Sequence, residues 1–230
     1  MFLPTILKGK DVPKHLAIGI SALSDFLEKP KKTNDEAKAL LVQKLSEIID
    51  VQTKKEIPVI TISVNPGNES EQRLLREAIN EISSSKIVSE NKIRLFIIGD
   101  WYSQDTKLVD EIKRAMELTK DYDYYFLNFC ISYDGKREIL TAAKLLLKKA
   151  RLEKISLDSV WEESMKENMP SSYFPSPELI IMNSTPYSGL LLWDSPGAYM
   201  YFSKRKFIDF ERKDIDKAID FFNEHKQQAQ

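Results

Sequence analysis

Apolar positions along this chain recur with two different periods that take turns. Between Asn34 and Ile49 they fall at Ala37, Leu40, Leu41, Leu45, Ile48 and Ile49, the spacing of one helix face, with Asp35 and Glu36 suited to the first turn. Pro58 then opens "VITISV", a β-branched run closed by "NPGN", which reads as a strand and a turn. Asn68 and Glu71 have capping-box spacing, and Leu74, Leu75, Ala78, Ile79 and Ile82 supply the stripe of the helix they start. The alternation continues with strand "IRLFII" (93–98), a helix over 105–118, strand "YYFLNFCI" (124–131) and a helix over 137–150. A shorter helix follows near 157–165. After it come three apolar segments, "ELIIM", "GLLLW" and "AYMYF", and a last helix with Ile215, Ala218, Ile219 and Phe222 on one face. This alternation predicts an α/β fold: a single domain over 1–230 with a mostly parallel central sheet flanked by helices.

Composition narrows the function. Thirty-four basic against 35 acidic residues give a formal charge of −1, so no bulk positive field exists to hold nucleic acid. The wholly apolar runs are far short of the ~20 residues a membrane span needs. The single cysteine, Cys130, has no partner for an internal disulfide, which fits a reducing cytoplasmic compartment. "MFLPTILKGK" lacks the order of a signal peptide, though Phe2, Leu3, Ile6 and Leu7 could give peripheral contact with a membrane surface or simply pack on the domain.

Candidate chemistry is sparse. With seven glycines and no GxGxxG or Walker loop, the common nucleotide cradles are absent. His15 and His225 stand far apart, and His15 reads as structural. No HExxH or CxxC suggests zinc. Asp25, Asp100, Asp134 and Asp194 each follow a predicted strand, where open α/β sheets bind ligands, but carboxylates are also ordinary turn and capping residues. "SKRK" (203–206) has the charge for phosphate or lipid head groups and equally that of a solvated loop. Tyr124, Tyr125, Phe126 and Phe129 read as strand and core. The residues alone describe an α/β domain with no visible catalytic apparatus.

Several segments, taken in order, resemble the cis-prenyltransferases, the family of undecaprenyl diphosphate synthase. "PKHLAIGI" is similar to that family's first strand, "IRLFIIGD" to its "VRLRIIGD" type strand, and "LNFCISYDGKREIL" to its "LNIAANYGGRWDI" type segment. "ELIIM", "LLLW", "AYMYF" and "IDF" fall in the family's order, so the resemblance spans roughly residues 12–224. It implies a cis-prenyltransferase-like fold. Family enzymes condense isopentenyl diphosphate onto an allylic diphosphate with Mg²⁺, which requires cations around two diphosphates and a carboxylate at the metal.

The same resemblance implies that this apparatus is lost. Where the family's first strand ends in Asp-Gly-Asn-Gly-Arg-Trp, this chain has Ser21-Ala22-Leu23-Ser24-Asp25-Phe26. Ser21 thus stands at the metal carboxylate and Asp25 at a diphosphate arginine, where like charge repels. The family's Arg-Thr-Gly-Gly-Glu stretch appears as Met182-Asn183-Ser184-Thr185-Pro186, about two residues short, with Met182 at its arginine. Tyr199 replaces a metal-binding glutamate in "AYMYF".

A fold kept while three parts of the site are replaced resembles the non-catalytic, Nogo-B receptor-like subunit of two-component cis-prenyltransferases. That implies a catalytic homologue as partner, in a heterodimer or heterotetramer that makes long-chain polyprenyl diphosphate for a dolichol-type glycosyl-carrier lipid. This chain alone would bind no cofactor, with Mg²⁺ held by the active partner, and could form a homodimer. The family's dimer mode implies an interface around the segment after "LNFCISYDG" and the late "LLLW" to "AYMYF" region, where Tyr133, Arg137, Trp193, Tyr199 and Phe202 are the candidate contacts because aromatics and arginine dominate interface energetics, with burial in this chain's own core the alternative for Trp193 and Phe202. Subunits of this class end in Arg-x-Gly, whereas the sequence here ends "FFNEHKQQAQ", so support by structure is expected rather than a residue given to the partner's site. The alternatives are a stand-alone polyprenyl-lipid or diphosphate-binding protein and a divergent cis-prenyltransferase with relocated carboxylates such as Asp25 or Asp100.

Overall fold

The computed structural model describes residues 12–20, 23–27, 33–153, 162–183 and 187–228. Six strands form one parallel sheet: β1 (His15–Gly19), β2 (Val59–Val64), β3 (Ile93–Ile98), β4 (Tyr125–Ile131), β5 (Leu179–Met182) and β6 (Tyr199–Phe202). Their order is β3-β4-β2-β1-β5-β6, and every neighbouring pair is parallel. Strands β1, β2, β4 and β5 are buried at every position, as their near-continuous apolar sequences require, while only the edge strands β3 and β6 are partly open.

Helices α1 (Ser24–Leu27), α2 (Asn34–Lys54), α3 (Glu69–Ser83), α4 (Lys86–Glu90), α5 (Thr106–Leu118), α6 (Gly135–Glu153), α7 (Glu162–Glu167) and α8 (Arg212–Gln228) supply the connections. Their starts are written locally. Thr33 and Glu36 form a reciprocal capping box on α2, one the periodicity alone did not reveal. On α3 the Asn68 Oδ1 accepts from the Glu71 N–H at 3.0 Å, and the Glu71 carboxylate reaches back one residue further than expected, to the Gly67 N–H at 2.9 Å. Asp105 caps α5 through the N–H groups of Lys107 and Leu108.

Alternation along the strands divides the core. Leu16, Ile18, Ile60, Ile62, Leu95 and Phe129 face one way, into a large cluster with the apolar stripes of α2, α3, α5 and α8. Ala17, Val59, Phe126, Cys130, Ile180 and Met182 face the other, under Phe174, Leu190 and Leu191. Among the described residues no helix is long and apolar enough to cross a membrane.

Two expectations change. "GLLLW" contributes no strand: Leu190–Asp194 is a turn in which Leu191 has φ 50° and both Leu190 and Leu191 are 1% exposed. A short apolar run can be buried as a turn as readily as a strand, and periodicity does not separate the two. Asp194 therefore does not follow a strand. The helix expected near 157–165 is seen as α7 over Glu162–Glu167, and residues 154–161 lie outside the described residues.

Candidate functional site

Chain order reverses direction in space at β1. Strands β2, β3 and β4 lie on one side of it and β5 and β6 on the other, so the carboxyl ends of β1 and β5 flank a topological switch point, where open α/β sheets place ligands. These ends pair Gly19 with Met182. A Cβ at Gly19 would lie 2.8 Å from both Sδ and Cε of Met182, which is 2% exposed. The methionine therefore lies over the glycine and fills the strand end with apolar volume.

Beyond β1, Asp25 sits on α1 and its Oδ1 meets Lys206 Nζ at 2.6 Å. Phe26, fully buried, approaches Phe207 at 6.1 Å between ring centroids, so the same turn holds α1 by a charge and a ring. Arg205 also faces acids, Asp214 at 3.4 Å and Glu211 at 3.3 Å, so two cations of "SKRK" are engaged within the chain. Ser21 and the segment 184–186 lie outside the described residues. Tyr199 is at the opposite end of its strand from this edge, paired with Leu179. Its half-buried ring stands edge-on to Phe222 of α8 at 5.5 Å. Asp25 and Met182 thus come to one sheet edge and Tyr199 does not.

Magnesium takes hard oxygen ligands. At this edge Met182 offers only a thioether and the Asp25 carboxylate is held by lysine, so the Asn183 amide oxygen, buried without a hydrogen-bond partner, is a lone hard ligand, and no three acidic, histidine or cysteine residues among those described converge on a metal position.

A separate cleft of about 200 Å³ opens at the carboxyl ends of β3 and β4, lined by Gly99, Asp100, Tyr133, Arg137, Glu138 and neighbours. Its floor needs glycine, because Gly99 has φ +107° and a Cβ there would stand 2.3 Å from the Ile131 carbonyl oxygen. Arg137 Nη1 meets Asp100 Oδ2 at 2.7 Å with the arginine side chain 66% exposed. Asp134 caps α6, accepting from the N–H groups of Lys136 and Arg137. Tyr133 donates its hydroxyl to Glu138 Oε2 at 2.5 Å, and Glu138 Oε1 accepts from the Ser171 N–H. Burial holds the Glu138 carboxyl above its ordinary pKa and, with the adjacent Glu138, also raises that of the Tyr133 phenol.

Behind this cleft, Lys166 Nζ meets Asp194 Oδ1 at 2.5 Å, with the Asp194 side chain 4% exposed. His15 is buried, its Nδ1 donating to the Pro175 carbonyl at 2.6 Å and its Nε2 accepting from the Thr61 hydroxyl at 2.7 Å. Burial lowers its pKa to about 4, so it is a neutral structural residue. Burial likewise pushes the Cys130 thiol up.

The five residues assigned to a partner surface are distributed. Tyr133 is 9% exposed and committed to Glu138, Arg137 is open, Trp193 and Tyr199 are half-buried, and Phe202 is 44% exposed on edge strand β6. The turn carrying Trp193 does reach α6, since a Cβ on Gly135 would touch Gly189 O and Leu192 Cβ at 2.5 Å. Sequence reasoning missed Lys206 as the partner of Asp25, 181 residues away, and the Lys166–Asp194 pair, because no local spacing encodes such contacts. Glu138 did stand in a recognised segment, "YDGKREI".

A family model described as "Putative undecaprenyl diphosphate synthase" matches residues 27–230, beginning just after the altered strand end at 21–26. Among curated relatives, an isoprenyl transferase of Fusobacterium nucleatum is 27% identical over 224 residues, 94% of each chain. A tritrans,polycis-undecaprenyl-diphosphate synthase (geranylgeranyl-diphosphate specific) of Thermoplasma volcanium is 28% identical over 187 residues, covering 76% of this chain and 72% of that one. The fold matches the crystal structure of lavandulyl diphosphate synthase from Lavandula x intermedia in complex with dimethylallyl diphosphate. The TM-score is 0.80 at 22% identity, over 93% of this chain and 96% of that one. The chain belongs to the undecaprenyl diphosphate synthase family of cis-prenyltransferases.

Proposed function

We propose that this chain is the non-catalytic subunit of a heteromeric cis-prenyltransferase, supporting an active homologue that condenses isopentenyl diphosphate onto an allylic diphosphate. The observation that carries the reading is Met182 over Gly19. At the switch point, where the family resemblance puts a diphosphate arginine, the strand end carries a buried thioether. A diphosphate there would lose its water without gaining a cation, an uncompensated cost.

Asp25 supports the same conclusion. Its carboxylate stands where the resemblance expects a second arginine, and Lys206, a nearby cation, is already spent on it. Recruiting either to a diphosphate would require breaking a contact between them, and Asp25 would repel the ligand. In this reading Mg²⁺ is held by the partner's residues, and Arg137, Trp193, Tyr199 and Phe202 are the accessible or half-buried groups for its surface.

The test is Mg²⁺-dependent incorporation of labelled isopentenyl diphosphate by this chain alone, by the active cis-prenyltransferase homologue from the same genome, and by both. No product from the chain alone, with product appearing or rising sharply in the mixture, is the expected outcome. Turnover by the pure chain would overturn it and direct attention to Asp100, beside Arg137 in the open cleft. Silence from the chain alone, with no effect on the homologue in the mixture, would leave a stand-alone lipid- or diphosphate-binding protein.

A further inference from the structure

Of the lysine–carboxylate pairs among the described residues, Lys166–Asp194 is the one in which both side chains are largely enclosed, 24% and 4% exposed. Lys166 Nζ lies 2.5 Å from Asp194 Oδ1, and the Ser171 carbonyl oxygen and Oγ hold it from other sides at 3.0 and 3.3 Å. Ser176 Oγ stands 3.3 Å from the same Oδ1. Buried Ser171 joins this pair to a third carboxyl: its N–H donates to Glu138 Oε1, and its hydroxyl bonds the same group. An amine, a carboxyl touching it and a second carboxyl one hydroxyl away therefore share one enclosed site.

We infer that Lys166 and Asp194 condense to an amide bond within the chain. In the structure they stand as the ion pair from which the reaction starts. Lys166 passes a proton to the carboxylate it touches, which leaves a neutral amine beside a neutral acid. Nζ then attacks Cγ: the Nζ–Cγ bond forms, a Cγ–Oδ bond breaks, and that oxygen leaves as water with two of the three ammonium hydrogens. The third hydrogen stays on the amide nitrogen, and no oxidant, cofactor or co-substrate enters. Holding the two groups in contact gives an effective concentration of about 10⁵ M or more. The amide is also neutral, so two charges held out of water at a cost are removed.

Glu138 is a positioning residue in this reaction, acting on Nζ through the Ser171 hydroxyl, along which protons pass. Burial holds its carboxyl above the ordinary pKa, so it keeps its proton to a higher pH than an exposed acid. The groups facing it are the Tyr133 phenol, the Cys130 thiol, the Asp194 carboxylate and, through Ser171, Lys166; His15 faces Asp194 and Lys166. The bond ties α7, across 28 residues, to the turn that carries Trp193, whether or not the chain catalyses. Lys206 and Asp25 approach almost as closely, at 2.6 Å, but that lysine is 64% exposed, which makes the pair an internal control.

The experiment is intact-mass and tryptic-peptide mass spectrometry of the full chain under denaturing conditions. The expected chain is lighter by one water, resists trypsin after Lys166, and yields one fragment joining the Lys166 and Asp194 peptides, with the Lys206 and Asp25 peptides separate. This map of the native chain decides the matter without any variant. Lys166→Arg and Asp194→Ala should each restore the full mass, with circular dichroism checking that they fold. Glu138→Gln should slow closure about a hundredfold, seen as full-mass chain that loses water on incubation. Glu138→Asp should recover the rate, which then falls as pH rises and the carboxyl loses its proton, a profile that a merely structural Glu138 would not give. Full mass with separate Lys166 and Asp194 peptides would overturn the proposal. So would a water loss that persists in Lys166→Arg, which would place it elsewhere, as at Asp134–Gly135.

Discussion

Lys206 reaches back across 181 residues to Asp25, Nζ to Oδ1 at 2.6 Å, and ties α1 to the turn that follows β6. The lysine side chain is 64% exposed and the aspartate 11%, so water screens the pair from one side. A double-mutant cycle with Asp25→Asn and Lys206→Met, read by urea denaturation, should give a coupling of about 0.5–1 kcal/mol that shrinks as salt rises. The cycle isolates this pair from the other contacts of each residue. A coupling near zero at low salt would mean that Phe26 against Phe207, rather than charge, holds α1 in place.

Two glycines at strand ends should respond differently to the same methyl group. At Gly19 the new Cβ meets the far end of Met182, a flexible side chain able to turn aside, so Gly19→Ala should cost about 1 kcal/mol. At Gly99 it meets the Ile131 carbonyl oxygen at 2.3 Å with φ +107°, and neither can move without shifting a strand. Gly99→Ala should cost about 3 kcal/mol or more. Denaturation midpoints in the reverse order would show that Met182 is locked over Gly19 by its neighbours.

The contrast between those glycines also marks what can be read in a sequence. The strands were legible because each is buried on both faces and so carries an unbroken apolar or β-branched run, as in Val59–Val64. Helices α3, α5 and α8 were legible because one face of each is packed and the other is not. Leu190–Asp194 was not, because burial without period is common to strands and tight turns, and Leu191 adopts a left-handed backbone that its residue type does not announce. The candidate site was legible only as replaced residues. That Met182 covers Gly19 and that Lys206 takes Asp25 follow from the parallel register and the sheet order, which bring distant segments together.

The Lys166–Asp194 pair should be asymmetric. Replacing Lys166 by methionine leaves a carboxylate that is 4% exposed with, among the described residues, only the Ser176 hydroxyl at 3.3 Å, a stranded charge that should cost about 3–5 kcal/mol. Replacing Asp194 by asparagine leaves an ammonium that is 24% exposed and still bound to the Ser171 carbonyl oxygen, and should cost about 2 kcal/mol. The double variant should cost less than the two singles together, because neither charge is then left alone. Strict additivity in thermal or urea unfolding would mean that the two groups do not act as a pair.

His15 should make stability fall in acid. Its pKa is about 4 in the folded chain, lowered chiefly by burial, against an ordinary 6.5, so between these values the unfolded chain binds the proton and the folded chain does not. The contribution is fully present above about pH 6.5, is lost as pH falls toward 4, and changes no further below that, amounting to about 3 kcal/mol in all. Glu138 acts with the opposite sign: its raised pKa means the folded chain keeps a proton the unfolded chain has released, so its cost appears as pH rises above the ordinary carboxyl value of 4.5. Unfolding free energy of His15→Gln measured across pH 4 to 7 should therefore lose the acid slope and keep the Glu138 one, while Glu138→Gln should do the reverse. If His15→Gln retains the full acid slope, burial of His15 is not the source of the pH dependence.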